Sequence, residues 1–196
     1  MKRWTIEREP SEAQLAEIAE ALTAGGVLLL PTDTIYGLHA VAANREAVAR
    51  IAAMKERDGA KPFLVLAASA AQLEAMGCVV PAILNDLWPA PLTAVLPHGS
   101  TTVAARVPDV AWLRRLAGMA GPLASTSANR SGEPPVSEPS ELARDLQSAL
   151  DGLVDAGPLH GEPSAIVDFT GSEPRFIREG ENLFTQKLRK TLRKSL

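Results

Sequence analysis

The segment Gly25-Gly26-Val27-Leu28-Leu29-Leu30-Pro31 constrains this chain more than any other. Four consecutive apolar residues between a glycine pair and a proline are too few for a helix. With no polar residue at alternate positions, they suit a strand buried on both faces. Such a strand needs helices on either side of its sheet, which places the chain among α/β folds. Upstream, Leu15, Ile18, Ala19 and Leu22 follow helical spacing, with Ser11 and Gln14 placed as a capping box and Gly25-Gly26 as the stop. Downstream, Asn44 predicts the cap of a helix running through Met54 with Ala47, Val48, Ile51 and Met54 on one face. Residues 63–67 read as a second buried strand. Helical stretches at 69–76, 81–87, 109–118 and 138–150 then alternate with strand candidates at 92–96, 103–107, 122–126, 164–169 and 174–178. The expected architecture is α/β, a twisted open mixed sheet flanked by helices.

Length and composition bear on what such a sheet can do. At 196 residues the chain supports its own core without disulfides, and its one cysteine, Cys78, forms no framework. The N-terminal nine residues lack an apolar signal region, and no apolar run approaches the roughly 18 residues that cross a bilayer, so a cytoplasmic protein without membrane contact is expected. A net charge of −3 and few aromatics (Phe 4, Trp 3, Tyr 1) argue against a general nucleic-acid binder. His39, His98 and His160 are isolated in sequence and read as surface or core residues, so no metal site is expected. The last ten residues hold five basic side chains around Leu188, Leu192 and Leu196, which reads as a solvated terminal helix, with RNA or partner contact as the alternative.

Several polar segments adjoin the apolar strands, where an open α/β sheet builds its ligand crevice. They are Pro31-Thr32-Asp33-Thr34-Ile35-Tyr36-Gly37-Leu38, of which Thr32-Asp33-Thr34 is read as the loop after the first strand, Lys55-Glu56-Arg57, Arg106-Val107-Pro108, Ser125-Thr126-Ser127-Ala128-Asn129-Arg130-Ser131-Gly132 and Arg178-Glu179-Gly180. Singly, each is an ordinary helix cap or solvated helix end. Together, their hydroxyls, amides, loop N–H groups and the cations Lys55, Arg57, Arg106 and Arg178 are what holding a polyanion such as a triphosphate requires. No P-loop, Gly-x-Gly-x-x-Gly or Gly-x-Ser-x-Gly sequence is present to supply another explanation.

The ordered set Gly25-Gly26, residues 31–38, Lys55-x-Arg57, Trp88-Pro89-Ala90-Pro91-Leu92-Thr93, Arg106-Val107-Pro108, residues 125–132, residues 164–168 and Arg178-x-Gly180 resembles the YrdC/TsaC family of threonylcarbamoyl-AMP synthases. Its most specific part is Lys55-x-Arg57 followed far downstream by Ser127-x-Asn129. The resemblance implies a YrdC-like domain over residues 1–186 with a positively lined concave cleft, then a basic C-terminal tail, 187–196. It implies that L-threonine, bicarbonate and ATP are joined into L-threonylcarbamoyl-adenylate with release of pyrophosphate. A downstream transfer enzyme of the TsaD type would move the group onto the adenosine beside the tRNA anticodon, and a weak tRNA contact by this chain stays open. Matched residue by residue, Lys55, Arg57, Ser127 and Asn129 would be catalytic. Those four with Lys61 and Arg178 would bind ATP, and Thr34, Arg106, Ser125 and Ser164 would hold threonine. Mg²⁺ would arrive with the triphosphate.

The sequence departs from the family pattern at Lys61, where asparagine is usual, and at Leu66, where a histidine is expected. Ala90 and Ala165 replace glycine and threonine with other small side chains. The rival reading is a non-catalytic RNA-binding module of the YciO type, which tends to lack the full Lys-x-Arg and Ser-x-Asn set.

Overall fold

A computed structural model describes residues 1–55, 63–130 and 132–194. In chain order the elements are β1 (Lys2–Thr5), α1 (Glu12–Thr23), β2 (Leu28–Pro31), β3 (Tyr36–Val41), α2 (Arg45–Met54), β4 (Leu64–Leu66), α3 (Ala70–Ala75), α4 (Ile83–Leu87), β5 (Leu92–His98) and β6 (Thr101–Arg106). They continue with α5 (Ala111–Ala120), β7 (Leu123–Ser127), a 3-10 turn (Pro139–Glu141), α6 (Arg144–Ser148), β8 (Gly152–Asp155), β9 (Ala165–Asp168), β10 (Arg175–Arg178) and α7 (Asn182–Lys194). The ten strands form one sheet in the order β1-β8-β2-β3-β7-β4-β6-β5-β9-β10. Neighbours β1 and β8, β2 and β8, β4 and β6, and β5 and β9 are parallel and the other pairs antiparallel, so the expected α/β mixed sheet is formed.

The apolar run that defines β2 divides between two cores. Leu28 and Leu30 face α1 and α5, packing with Leu15, Ile18, Leu113 and Leu116. Val27 and Leu29 face the other way, into Leu38, Ala47, Ile51 and Leu146 under α2 and α6. Burial on both faces stabilises the strand by about 1.5–3 kcal/mol per leucine side chain. Around β5 and β9 a third cluster gathers Leu73, Leu84, Leu92 and Val167, closed by Leu188 and Leu192 of α7.

Local signals behave as their chemistry predicts. Ser11 and Gln14 make both hydrogen bonds of a capping box on α1, and Asn44 Oδ1 accepts the Ala47 N–H at the start of α2. The helix read over 138–150 is instead a 3-10 turn and a short helix, separated by extended backbone at Leu142 and Ala143. The Thr32-Asp33-Thr34 loop follows β2 as expected, but the strand after it was not expected. The turn ends at Ile35, and Tyr36 opens β3, whose first five residues are buried. β1 and β8 were not expected either: β1 is exposed at three of its four positions and so lacks an apolar signature, and β8 is four residues opening on a glycine. Position 187 falls inside α7, which exposes Lys187, Lys190 and Arg193 and buries Leu188 and Leu192, so the terminal helix is solvated on one face only. Among the described residues, no helix is long and apolar enough to cross a membrane.

Candidate active site

The cleft is organised from the tip of the β2–β3 hairpin. Thr32 Oγ1 donates to the Ile35 carbonyl at 2.8 Å and accepts from the backbone N–H groups of Thr34 and Ile35 at 3.1 and 3.2 Å, closing the turn. With its one proton committed, Thr32 Oγ1 must be the acceptor in its 3.0 Å contact with Thr34 Oγ1. Thr34 therefore presents a lone pair outward, and Arg106 Nη1 donates to it at 3.1 Å.

That contact measures the curvature of the sheet. Arg106 ends β6, which is three strands from β3 through β7 and β4. In a flat sheet that separation is roughly 14 Å. One arginine reaches across because the sheet curls, and the curled interior is a cleft of about 290 Å³. Its walls include Thr34, Arg106, Ser125, Ser127, Ser164 and Arg178. Among the described lining residues stand two guanidinium groups and no carboxylate, which makes this wall of the cleft positive.

Arg106 is almost fully buried and faces Asp33 Oδ1 at 3.2 Å, while Asp33 Oδ2 accepts the Asp109 N–H at 3.0 Å. The pair is held by charge rather than by an aligned hydrogen bond, since Asp33 Oδ1 and Arg106 Nε each lack a hydrogen-bond partner. Burial and the nearby Arg178 charge depress the Arg106 pKa, against the attraction of Asp33. A buried, unused N–H on a planar cation is suited to a carboxylate.

Along β7, Ser125 and Ser127 share one face. Ser125 Oγ lies 3.1 Å from His39 Nε2, its partner across β3. Ser127 Oγ donates to Asn129 Oδ1 at 2.5 Å. Lys55, at the C-terminal cap of α2, buries its ammonium to donate to the Ser127 carbonyl and Asn129 Oδ1, both at 2.7 Å, and Asn129 Nδ2 donates to the Glu133 carbonyl. Lys55 and Asn129 thus join the cleft through Ser127. On the opposite wall, Thr93 and Ser164 hydroxyls meet at 2.8 Å, and Arg178 donates through Nε and Nη2 to the Ser164 carbonyl.

Residues 156–164 bind these walls together. They run from β8, second in the sheet, to β9, ninth, a distance of roughly 34 Å if the sheet were flat, against about 36 Å for ten extended steps. Its contacts with Tyr36 and Thr34, and the place of Pro163 and Ser164 in the cleft wall, carry the strap along the cleft. Tyr36 anchors its start, donating its hydroxyl to the Gly157 carbonyl at 2.8 Å and accepting the Ala156 N–H at 2.9 Å. Gly161 passes so close to the hairpin tip that a Cβ there would lie 2.1 Å from the Thr34 carbonyl oxygen.

The structure thus brings Thr34, Lys55, Arg106, Ser125, Ser127, Asn129, Ser164 and Arg178 together from six separate segments. Arg57 and Lys61 lie outside the described residues. Leu66, at the position of the missing histidine, is fully buried in the α1 and α5 core. Sequence reasoning gave no role to Asp33, His39, Thr93 or Gly161. Asp33 stood within a recognised motif, but its partner is 73 positions away and no spacing rule connects them.

The Sua5/YciO/YrdC family model, described as telomere recombination, matches residues 20–180. A threonylcarbamoyl-AMP synthase of Bacillus subtilis is 34% identical over 91% of this chain and 58% of its own length. A threonylcarbamoyl-AMP synthase of Chromohalobacter salexigens is 33% identical over 82% of this chain and 95% of its own length. The crystal structure of Pyrococcus abyssi Sua5 complexed with L-threonine superposes with a TM-score of 0.87 at 29% identity, covering 97% of this chain and 61% of that one. The chain thus spans less than two thirds of the Bacillus and Pyrococcus proteins. With the same sheet, a cleft built from the ordered motifs, and a family match over most of its length, this chain belongs to the Sua5/YciO/YrdC family.

Proposed function

We propose that this chain is an L-threonylcarbamoyl-adenylate synthase, a nucleotidyltransferase of the cytoplasm acting in the threonylcarbamoyl modification of tRNA. The observation that carries the reading is Arg106: a buried guanidinium with an unused N–H, flanked by hydroxyls, in the same cleft as the Ser127–Asn129–Lys55 cluster. The names of the Bacillus and Chromohalobacter relatives support it.

In this reading Arg106 takes the threonine carboxylate, with Thr34, Ser125 and Ser164 around the amino acid. Lys55, Arg57, Lys61, Ser127, Asn129 and Arg178 serve the nucleotide, with Lys55, Arg57, Ser127 and Asn129 nearest the chemistry. The threonine amine and bicarbonate give a carbamate and water. A carbamate oxygen then attacks the α-phosphorus of ATP, the bond to the β-phosphate oxygen breaks, and pyrophosphate leaves. Catalysis is positioning and neutralisation of charge, with no covalent enzyme intermediate. Mg²⁺ belongs to the nucleotide in this scheme. The described residues offer no group of three His, Cys, Asp or Glu side chains for a resident ion. Residues 1–186 would form the synthase domain and 187–196 a basic tail. The adenylate would pass to a transfer enzyme of the TsaD type, and weak tRNA contact by this chain is part of the same reading.

The test is pyrophosphate release from ATP by the purified protein, omitting L-threonine and bicarbonate one at a time. Release that requires both is expected. Nucleotide binding without dependence on either substrate would overturn the synthase reading in favour of a binding module.

A further inference from the structure

His39 is fully buried in the middle of β3 and takes no part in the chemistry proposed above. Its ring folds back along its own strand, with Nδ1 2.9 Å from the Gly37 carbonyl and Nε2 3.1 Å from Ser125 Oγ. The place is reserved for the ring: a Cβ on residue 37 would lie 2.7 Å from His39 Cε1.

The two contacts together settle where the protons are. A carbonyl only accepts, so Nδ1 carries the hydrogen. Burial and the Arg106 charge keep the imidazole neutral, with its pKa pushed down to about 3. A neutral ring protonated at Nδ1 has a bare Nε2, so the Ser125 hydroxyl must donate to it. The Ser125 proton is thereby directed into the sheet, and only oxygen lone pairs remain for the cleft that Ser125 lines.

We infer that His39 is a positioning residue that locks Ser125 as a hydrogen-bond acceptor, so that this wall of the cleft selects an N–H donor on the bound amino acid. The inference rests on the synthase reading for the identity of that donor, the threonine nitrogen. An acceptor suits the nitrogen throughout the reaction, because both the amine and the carbamate formed from it retain an N–H. The opposite tautomer would turn the Ser125 hydroxyl outward as a donor, suited to a carboxylate or phosphate oxygen instead.

Two measurements test this on the full chain. In the ¹⁵N spectrum of histidine-labelled wild-type protein, His39 should show a protonated Nδ1 and an unprotonated Nε2. The reverse tautomer overturns the inference whether or not the protein is active. In the pyrophosphate assay, His39→Asn keeps a donor for the Gly37 carbonyl but does not reach Ser125. It should raise the KM for threonine about fivefold, the loss of one hydrogen bond's ordering, and leave the KM for ATP unchanged. In a Ser125→Ala background the same substitution should add nothing. Equal penalties on both substrates, or additive effects of the two substitutions, would reduce His39 to a structural residue. Absence of any threonine-dependent release by the wild type would defeat the synthase reading, and the tautomer would still be decided by the spectrum.

Discussion

Two arginines share the cleft and live in opposite environments. Arg106 is buried and faced by Asp33, and its Nε–H is unused. Arg178 is exposed, donates only to the neutral Ser164 carbonyl, and has no carboxylate within ion-pairing distance among the described residues. The charge of Arg106 is largely compensated before a ligand arrives, so its contribution is direction: a rigid fork with a free N–H. The charge of Arg178 is uncompensated, so its contribution is attraction. A site for a zwitterion beside a polyanion needs both, and one guanidinium could not be optimised for each.

The strongest way to break this contrast is Arg106→Met. It leaves Asp33 buried with only the Asp109 N–H as partner, and the expected loss is roughly 3–5 kcal/mol of stability in urea unfolding. Adding Asp33→Asn should restore much of it. A single substitution that costs under about 1 kcal/mol would mean that Asp33 does not compensate Arg106. Arg178→Ala should instead change stability by no more than about 1 kcal/mol while raising the KM for ATP roughly tenfold, with a smaller effect at high salt. A KM for ATP that is insensitive to both the substitution and ionic strength would remove the attractive role.

The last effect appears only on acidification and belongs to His39. The His39 pKa is lowered in the folded state to about 3 from an ordinary 6.5, so the unfolded chain binds more protons between those values. Stability is therefore full above pH 6.5 and falls as pH drops toward 3, by at most about 1.4 kcal/mol per pH unit from this group. The His39→Asn protein should show a flatter acid limb in denaturant titrations. An unchanged limb would mean that His39 is not held neutral.

What could be read from the chain follows the reach of each interaction. The α1 capping box, the Asn44 cap and the two-faced burial of Leu28, Leu29 and Leu30 are written within a few residues, and they appear as expected. No strand was expected over Tyr36–Val41; the partners of Gly37 and His39, Ser127 and Ser125, lie 90 and 86 positions away. The cleft residues were legible as a set through the family resemblance. The Arg106–Asp33 and His39–Ser125 pairs were not, because each exists only once distant strands are in register.

The strap has a further consequence, in time rather than in space. β2 hydrogen-bonds to β8, and β5 to β9, across more than a hundred and about seventy residues respectively. Contacts of such separation slow folding, because the loops they close must first be ordered. A nascent chain that has emerged only through residue 150 can pair β2 through β7 and join Arg106 to Thr34, yet it has neither the strap nor Ser164 and Arg178 of the opposite wall. The cleft is thus completed last, and ligand binding reports that the whole described fold has been assembled.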